Sequence, residues 1–116
     1  MRVLTPGDVE KRFNELSIEL DEAQQELEGA ESEYYLSKVE HELAWARKFL
    51  SLKGEEQRRT VGELDAEATL GTEHSARRLA AASARQRSSR SNVDRIKVQI
   101  DLARSLGTSV RAALEL

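Results

Sequence analysis

Apolar or small side chains recur through the first half of the chain at Val9, Phe13, Leu16, Leu20, Ala23, Leu27, Ala30 and Tyr34. The steps alternate between four residues and three, the repeat of a helix that lays one narrow seam against another helix. After Tyr34 the phase drifts, and Leu36, Val39, Leu43, Ala46 and Leu50 carry the seam onward while Trp45, Phe49 and Leu52 widen the apolar surface. Upstream, Thr5-Pro6-Gly7-Asp8 reads as a helix start. Thr5 can accept from an orphan N–H, Pro6 is tolerated at the first helical position, and Asp8 suits the positive end of the dipole. The pattern predicts a helix over about 6–52, roughly 70 Å long at 1.5 Å per residue. No compact globule of 116 residues holds a helix of that length.

The breaker is Lys53-Gly54-Glu55-Glu56-Gln57-Arg58-Arg59, which predicts a loop over about 53–60. Thr60-Val61-Gly62-Glu63 then has the form of a capping box, with Thr60 as N-cap and Glu63 three residues on. A second helix follows over about 61–105. It is sparsely apolar at Val61, Leu64, Ala68 and Leu79, then carries a strong seam at Val93, Ile96, Ile100 and Ala103. Ser105-Leu106-Gly107 reads as a C-terminal stop with Gly107 at positive φ, and Thr108 as the cap of a short helix over about 109–115. No segment carries a strand signal. The predicted fold is all-α: a single domain over 1–116, a long coiled-coil-like antiparallel helical hairpin with a short C-terminal helix.

A turn centred near residue 56 makes facing residue numbers add to about 112. Leu16 then meets Ile96, Phe13 meets Ile100, Leu20 meets Val93 and Val9 meets Ala103, apolar against apolar at each level. Two helices alone cannot bury so wide an apolar surface. The remainder around Tyr34, Tyr35, Leu36, Trp45, Phe49 and Leu50 is therefore the candidate interface of a homo-oligomer.

Charge changes the picture more than composition does. The chain has 18 Lys+Arg and 21 Asp+Glu, a formal net charge of −3, but residues 1–73 hold 18 acids and 9 bases while residues 74–116 hold 3 acids and 9 bases. The acidic arm can pair with the basic one, or the basic arm can face a polyanion. There is no Cys, which excludes a disulfide scaffold and thiolate chemistry. No uncharged run exceeds six residues, so no membrane span is expected, and Met-Arg-Val-Leu-Thr-Pro-Gly-Asp lacks the apolar core of a signal peptide. A cytoplasmic location is the expectation.

Little in the chain suggests catalysis. His41-Glu42-Leu43-Ala44-Trp45 begins like the zinc-protease HExxH helix, but Trp45 stands where the second ligand belongs. His41 and His74, near Glu40 and Glu42, lack a required third ligand. No nucleophile–base pair or phosphate-cradling glycine loop stands out, and the reading is a non-enzyme with no cofactor and no metal. Arg90, Lys97, Arg104 and Arg111 form a stripe at heptad intervals, which Asp94 and Asp101 break into a ladder of intrahelical ion pairs. The better nucleic-acid candidates are Arg77, Arg78, Arg85 and Arg87 on the second arm, and Lys48, Lys53, Arg58 and Arg59 at the tip. The expected register sets Glu26, Glu28, Glu31 and Glu33 opposite the segment carrying Arg77 to Arg87. Four of the five aromatics fall between Tyr34 and Phe49, and none lies in the basic half. That placement suits an interface better than a stack of rings for nucleic-acid bases.

The capped first helix, the Tyr34-Tyr35 segment, the Lys/Gly loop, the Thr60-Val61-Gly62-Glu63 restart and the closing Gln99-Ile100-Asp101-Leu102-Ala103-Arg104-Ser105-Leu106-Gly107 together resemble small all-helical proteins of tailed phages. In architecture the chain is similar to recombination mediators of the UvsY type. The resemblance implies a homo-oligomer that binds single-stranded DNA and assists loading of a recombinase onto strands covered by single-strand-binding protein. The other reading is a protein-only adaptor or inhibitor that docks a host or phage protein through its apolar face. Exposure of Arg77, Arg78, Arg85 and Arg87, or their pairing with the acidic arm, discriminates between the two.

Overall fold

The first helix starts on a reciprocal cap. The Asp8 N–H donates to Thr5 Oγ1 at 3.2 Å, and the Thr5 N–H donates to Asp8 Oδ2 at 3.0 Å. Two orphan donors are satisfied by two short side chains. The computed structural model describes residues 3–55 and 59–115, with 93% of those residues helical. Among the described residues there are three helices and no strand: α1 (Pro6–Lys53), α2 (Val61–Gly71) and α3 (Glu73–Glu115). None is long and apolar enough to cross a membrane. Where the sequence predicts one domain, contacts divide the chain into two compact units. A terminal unit joins Met1–Glu28 to Arg87–Leu116, and a central unit is formed by Gly29–Gln86.

In the terminal unit α1 and α3 lie antiparallel around Leu16, Ala23, Val93, Ile96, Ile100 and Ala103, with Phe13, Leu20 and Leu27 at the margins. Every one of these positions belongs to the predicted seams. Their pairing does not follow the predicted register. A Cβ on Gly107 would lie 3.3 Å from Val9 Cγ1, and in the central unit His41 meets Ser75. Both pairs add to 116 instead of 112, a slip of one helical turn. Heptad seams are self-similar, so a slip of one turn exchanges partners without exposing either seam.

Gly107 also departs from its expected role. α3 runs through it to Glu115 with no stop and no separate final helix, and no residue has positive φ among the described residues. Gly107 is buried because the backbone there approaches Val9 closely, a use of glycine for closeness and not for a turn.

The predicted helix over 61–105 is broken in the central unit. Thr60 caps α2 as expected, its hydroxyl accepting from the Glu63 N–H at 3.1 Å. The break falls at Thr72 (φ −118°, ψ 25°), between Gly71 and Glu73. The Thr72 hydroxyl donates back to the Ala68 carbonyl at 2.8 Å, and its own carbonyl accepts from the Ala76 N–H at 3.0 Å. Thr72 therefore closes α2 and opens α3 with one residue. α2 contributes Leu64 and Ala68 to a second core, with Leu52 from α1.

Replacing Leu16, 2% exposed in the terminal core, with Ala should cost about 2–5 kcal/mol. Ile18→Ala, two residues away and 63% exposed, should stay within about 0.5 kcal/mol. Urea unfolding followed by far-UV circular dichroism checks the pair, and equal effects would contradict the assignment of the seam.

Candidate functional site

The basic residues proposed for nucleic acid differ in the partners they meet. Arg77 reaches back along its own helix to Glu73 at 2.6 Å, Arg78 crosses to Glu40 on α1 at 3.3 Å, and Arg85 crosses to Glu33. The expected facing of acidic and basic arms is thus present, displaced toward Glu40 by the one-turn slip. Arg87 is exposed and forms no ion pair among the described residues.

At the turn the candidates separate further. Arg58 lies outside the described residues. Arg59 is a correction to the sequence reading: its side chain is only 15% exposed, clamped between Glu55 at 2.9 Å and Glu67 at 3.2 Å. Its Nη1 lies within ion-pair range of Glu67 but off the hydrogen-bond line. The guanidinium ties the segment after α1 to the flank of α2 and is not offered to a ligand. Lys48 lays its stem across Gly71, where a Cβ would meet Lys48 Cε at 2.7 Å. Lys53 is exposed in the last turn of α1, where a cation complements the helix dipole.

Charge is nearly balanced within each unit. Gly29–Gln86 holds 10 acids and 9 bases, net −1; the remaining residues hold 11 acids and 9 bases, net −2. The lopsided charge along the chain is cancelled by the way the arms lie side by side.

The aromatic candidates also divide. Trp45 and Phe49 are half-buried and stack on one another at 5.1 Å between ring centroids, packed against Leu52, Leu64 and Ala68. Trp45 Nε1–H donates to Thr69 Oγ1 at 3.3 Å. This is the second correction: α2 of the same chain covers these two rings, which sequence reasoning assigned to another subunit. Tyr34 is half-buried and meets Tyr35 edge to face at 5.6 Å. Tyr35, Leu36 and Leu50 stay exposed, at 62%, 65% and 66%.

With Val39, Leu43 and Ala46, also exposed, Leu36 and Leu50 complete an uncovered seam on α1. The steps Leu36, Val39, Leu43, Ala46, Leu50 are three, four, three and four. The face that α1 does bury in this unit passes through Ala30, Tyr34, Ser37 and His41. Most of the outer positions stand two residues beyond an inner one, so the two faces lie on nearly opposite sides of the helix. The phase drift at Tyr34 is the sequence signal for this second face.

His41 belongs to the inner face. Ser75 Oγ–H donates to the Thr72 carbonyl at 3.0 Å, so at 2.8 Å Ser75 Oγ accepts from His41 Nδ1–H. That relay braces the α2–α3 break. His74 is exposed, and no group of three metal-ligating side chains occurs among the described residues. In the terminal unit an open groove of about 700 Å³ runs past Val9, Phe13 and Gly107, rimmed by Glu10, Arg104 and Arg111. The Arg104 guanidinium sits 5.9 Å over the Phe13 ring there, and the same side chain lies 3.7 Å from Asp101, one step of the predicted ladder.

Arg59→Met keeps the stem and removes the charge between Glu55 and Glu67, and should cost about 1–3 kcal/mol. Arg78→Ala, in an exposed pair, should cost less than about 1 kcal/mol. Chemical unfolding midpoints of the two variants check this ranking, and the reverse order would contradict the clamp. Compared with known proteins, the chain matches no family model, no curated protein and no solved structure.

Proposed function

We propose that the chain is a non-enzymatic helical binding module that docks a protein through the exposed seam of α1. One observation carries this reading: after α1 has buried one heptad face within its own chain, a second, Leu36 to Leu50, is left in water at coiled-coil spacing. Exposed leucines scattered singly need no explanation, but a contiguous row at that spacing has the form of a surface made for another helix.

The nucleic-acid reading, a single-strand-binding recombination accessory of the kind the UvsY-type resemblance implies, draws less support. Of its eight candidate cations, Arg77, Arg78 and Arg85 each stand beside a carboxylate and Arg59 is largely buried. Binding to phosphate gains chiefly from releasing counterions, and a cation already beside a carboxylate has few to release. The two readings separate cleanly in solution. A labelled single-stranded oligonucleotide titrated with the protein should show no anisotropy change that depends on salt between about 50 and 200 mM. Binding that weakens steeply across that range would overturn the protein-docking reading in favour of the nucleic-acid one, because exposed ion pairs of about 0–1 kcal/mol yield readily to a polyanion.

A further inference from the structure

We propose that the occupant of the α1 seam is a second copy of this chain, paired antiparallel over Leu36–Lys53. The inference rests on the protein-docking reading of the seam and names its partner. Three features of the seam lead to it.

The first is the charge beside the apolar row. Glu40 follows Val39, and Arg47 follows Ala46, so both stand on the same flank of the seam, seven residues apart. In an antiparallel pair, residues on the same flank of the two helices meet each other. Glu40 of each copy then faces Arg47 of the other, and one symmetric interface holds two opposite-charge contacts. Arg47 is exposed and forms no ion pair among the described residues. Glu40 contacts Arg78 through Oε2, and Oε1 remains for a second cation.

The second is the seam itself. With Leu43 beside the second copy's Ala46, Val39 falls beside Leu50, and Leu36 beside Lys53. Large side chains thus meet small or flexible ones, and the Lys53 stem can lie along Leu36 while its ammonium reaches water. A parallel pair in register would instead set Lys53 against Lys53 and Ala46 against Ala46. Like charge would sit at one layer and a gap at another.

The third is extent. A specific interface needs about 1,000 Å² in total. A row of five positions reaches that only when used along its whole length, as side-by-side pairing does. α2 and α3 lie on the other face of α1 and leave this row open.

Sedimentation velocity on the full chain over a dilution series tests the proposal. The expected result is a dimer that dissociates on dilution. Leu43→Glu should weaken it at least tenfold with the helical circular dichroism unchanged, because Leu43 is already half exposed. Glu40→Lys and Arg47→Glu should each weaken the dimer, since each sets like charges together twice. Mixed in equal amounts, these two variants should associate again, because the mixed pair restores opposite charges at both contacts. A chain that stays monomeric at the highest concentration overturns the proposal, as does an oligomer indifferent to Leu43→Glu. Failure of the mixture to associate overturns the antiparallel pairing. A monomer that ignores the oligonucleotide leaves the protein-docking reading standing with a different partner, whereas salt-dependent oligonucleotide binding removes that reading itself.

Discussion

An α-helix can turn only one stripe of side chains toward a single neighbour, and this chain asks more than that of α1. Along Val9 to Leu27 the apolar residues keep one phase, and one neighbour, α3, satisfies them. Beyond Tyr34 the helix carries two apolar stripes on nearly opposite sides. α2 and α3 cover the inner one, where Leu52, Trp45 and Phe49 meet Leu64 and Ala68. The outer one is left exposed among the described residues. The break at Thr72 belongs to the same geometry, since α2 follows the widened part of α1 as a separate short helix braced by the His41–Ser75–Thr72 relay.

Electrostatics follows the packing instead of directing it. The acidic arm and the basic arm are complementary along their length, and an antiparallel arrangement brings unlike charges together in almost any register. The pairs Glu33–Arg85 and Glu40–Arg78 are exposed and individually weak. They join unlike charges inside a unit whose residue count already leaves it close to neutral. Arg59 is the exception. Burial makes its two carboxylate partners a structural requirement of the turn.

Much of the fold was legible because it rests on period and caps. Thr5 and Thr60 cap where their spacing to Asp8 and Glu63 predicts, α1 ends within a residue of its expected end, and all of the terminal core lies on the two predicted seams. The register was not legible. A repeat that matches itself every turn does not say which turn meets which, and only particular contacts such as Val9 with Gly107 decide it. Glycine was misread for a related reason: Gly107 has the same letter whether it ends a helix or admits a neighbour. The site was legible in part. The outer seam shows as a change of phase, while the fates of Trp45, Phe49 and Arg59 depend on α2 folding back beside α1, a tertiary event with no local mark.

The confinement of the aromatics has a spectroscopic consequence. The single Trp and both Tyr lie in the central unit, and the terminal unit holds Phe13 alone. Trp45, stacked on Phe49 and bonded to Thr69, therefore emits as a resident of one unit only. Its fluorescence follows the loss of α2 from α1, whereas far-UV circular dichroism weighs all three helices together. Coincidence or separation of the two unfolding curves thus reads directly whether the two units melt as one cooperative body.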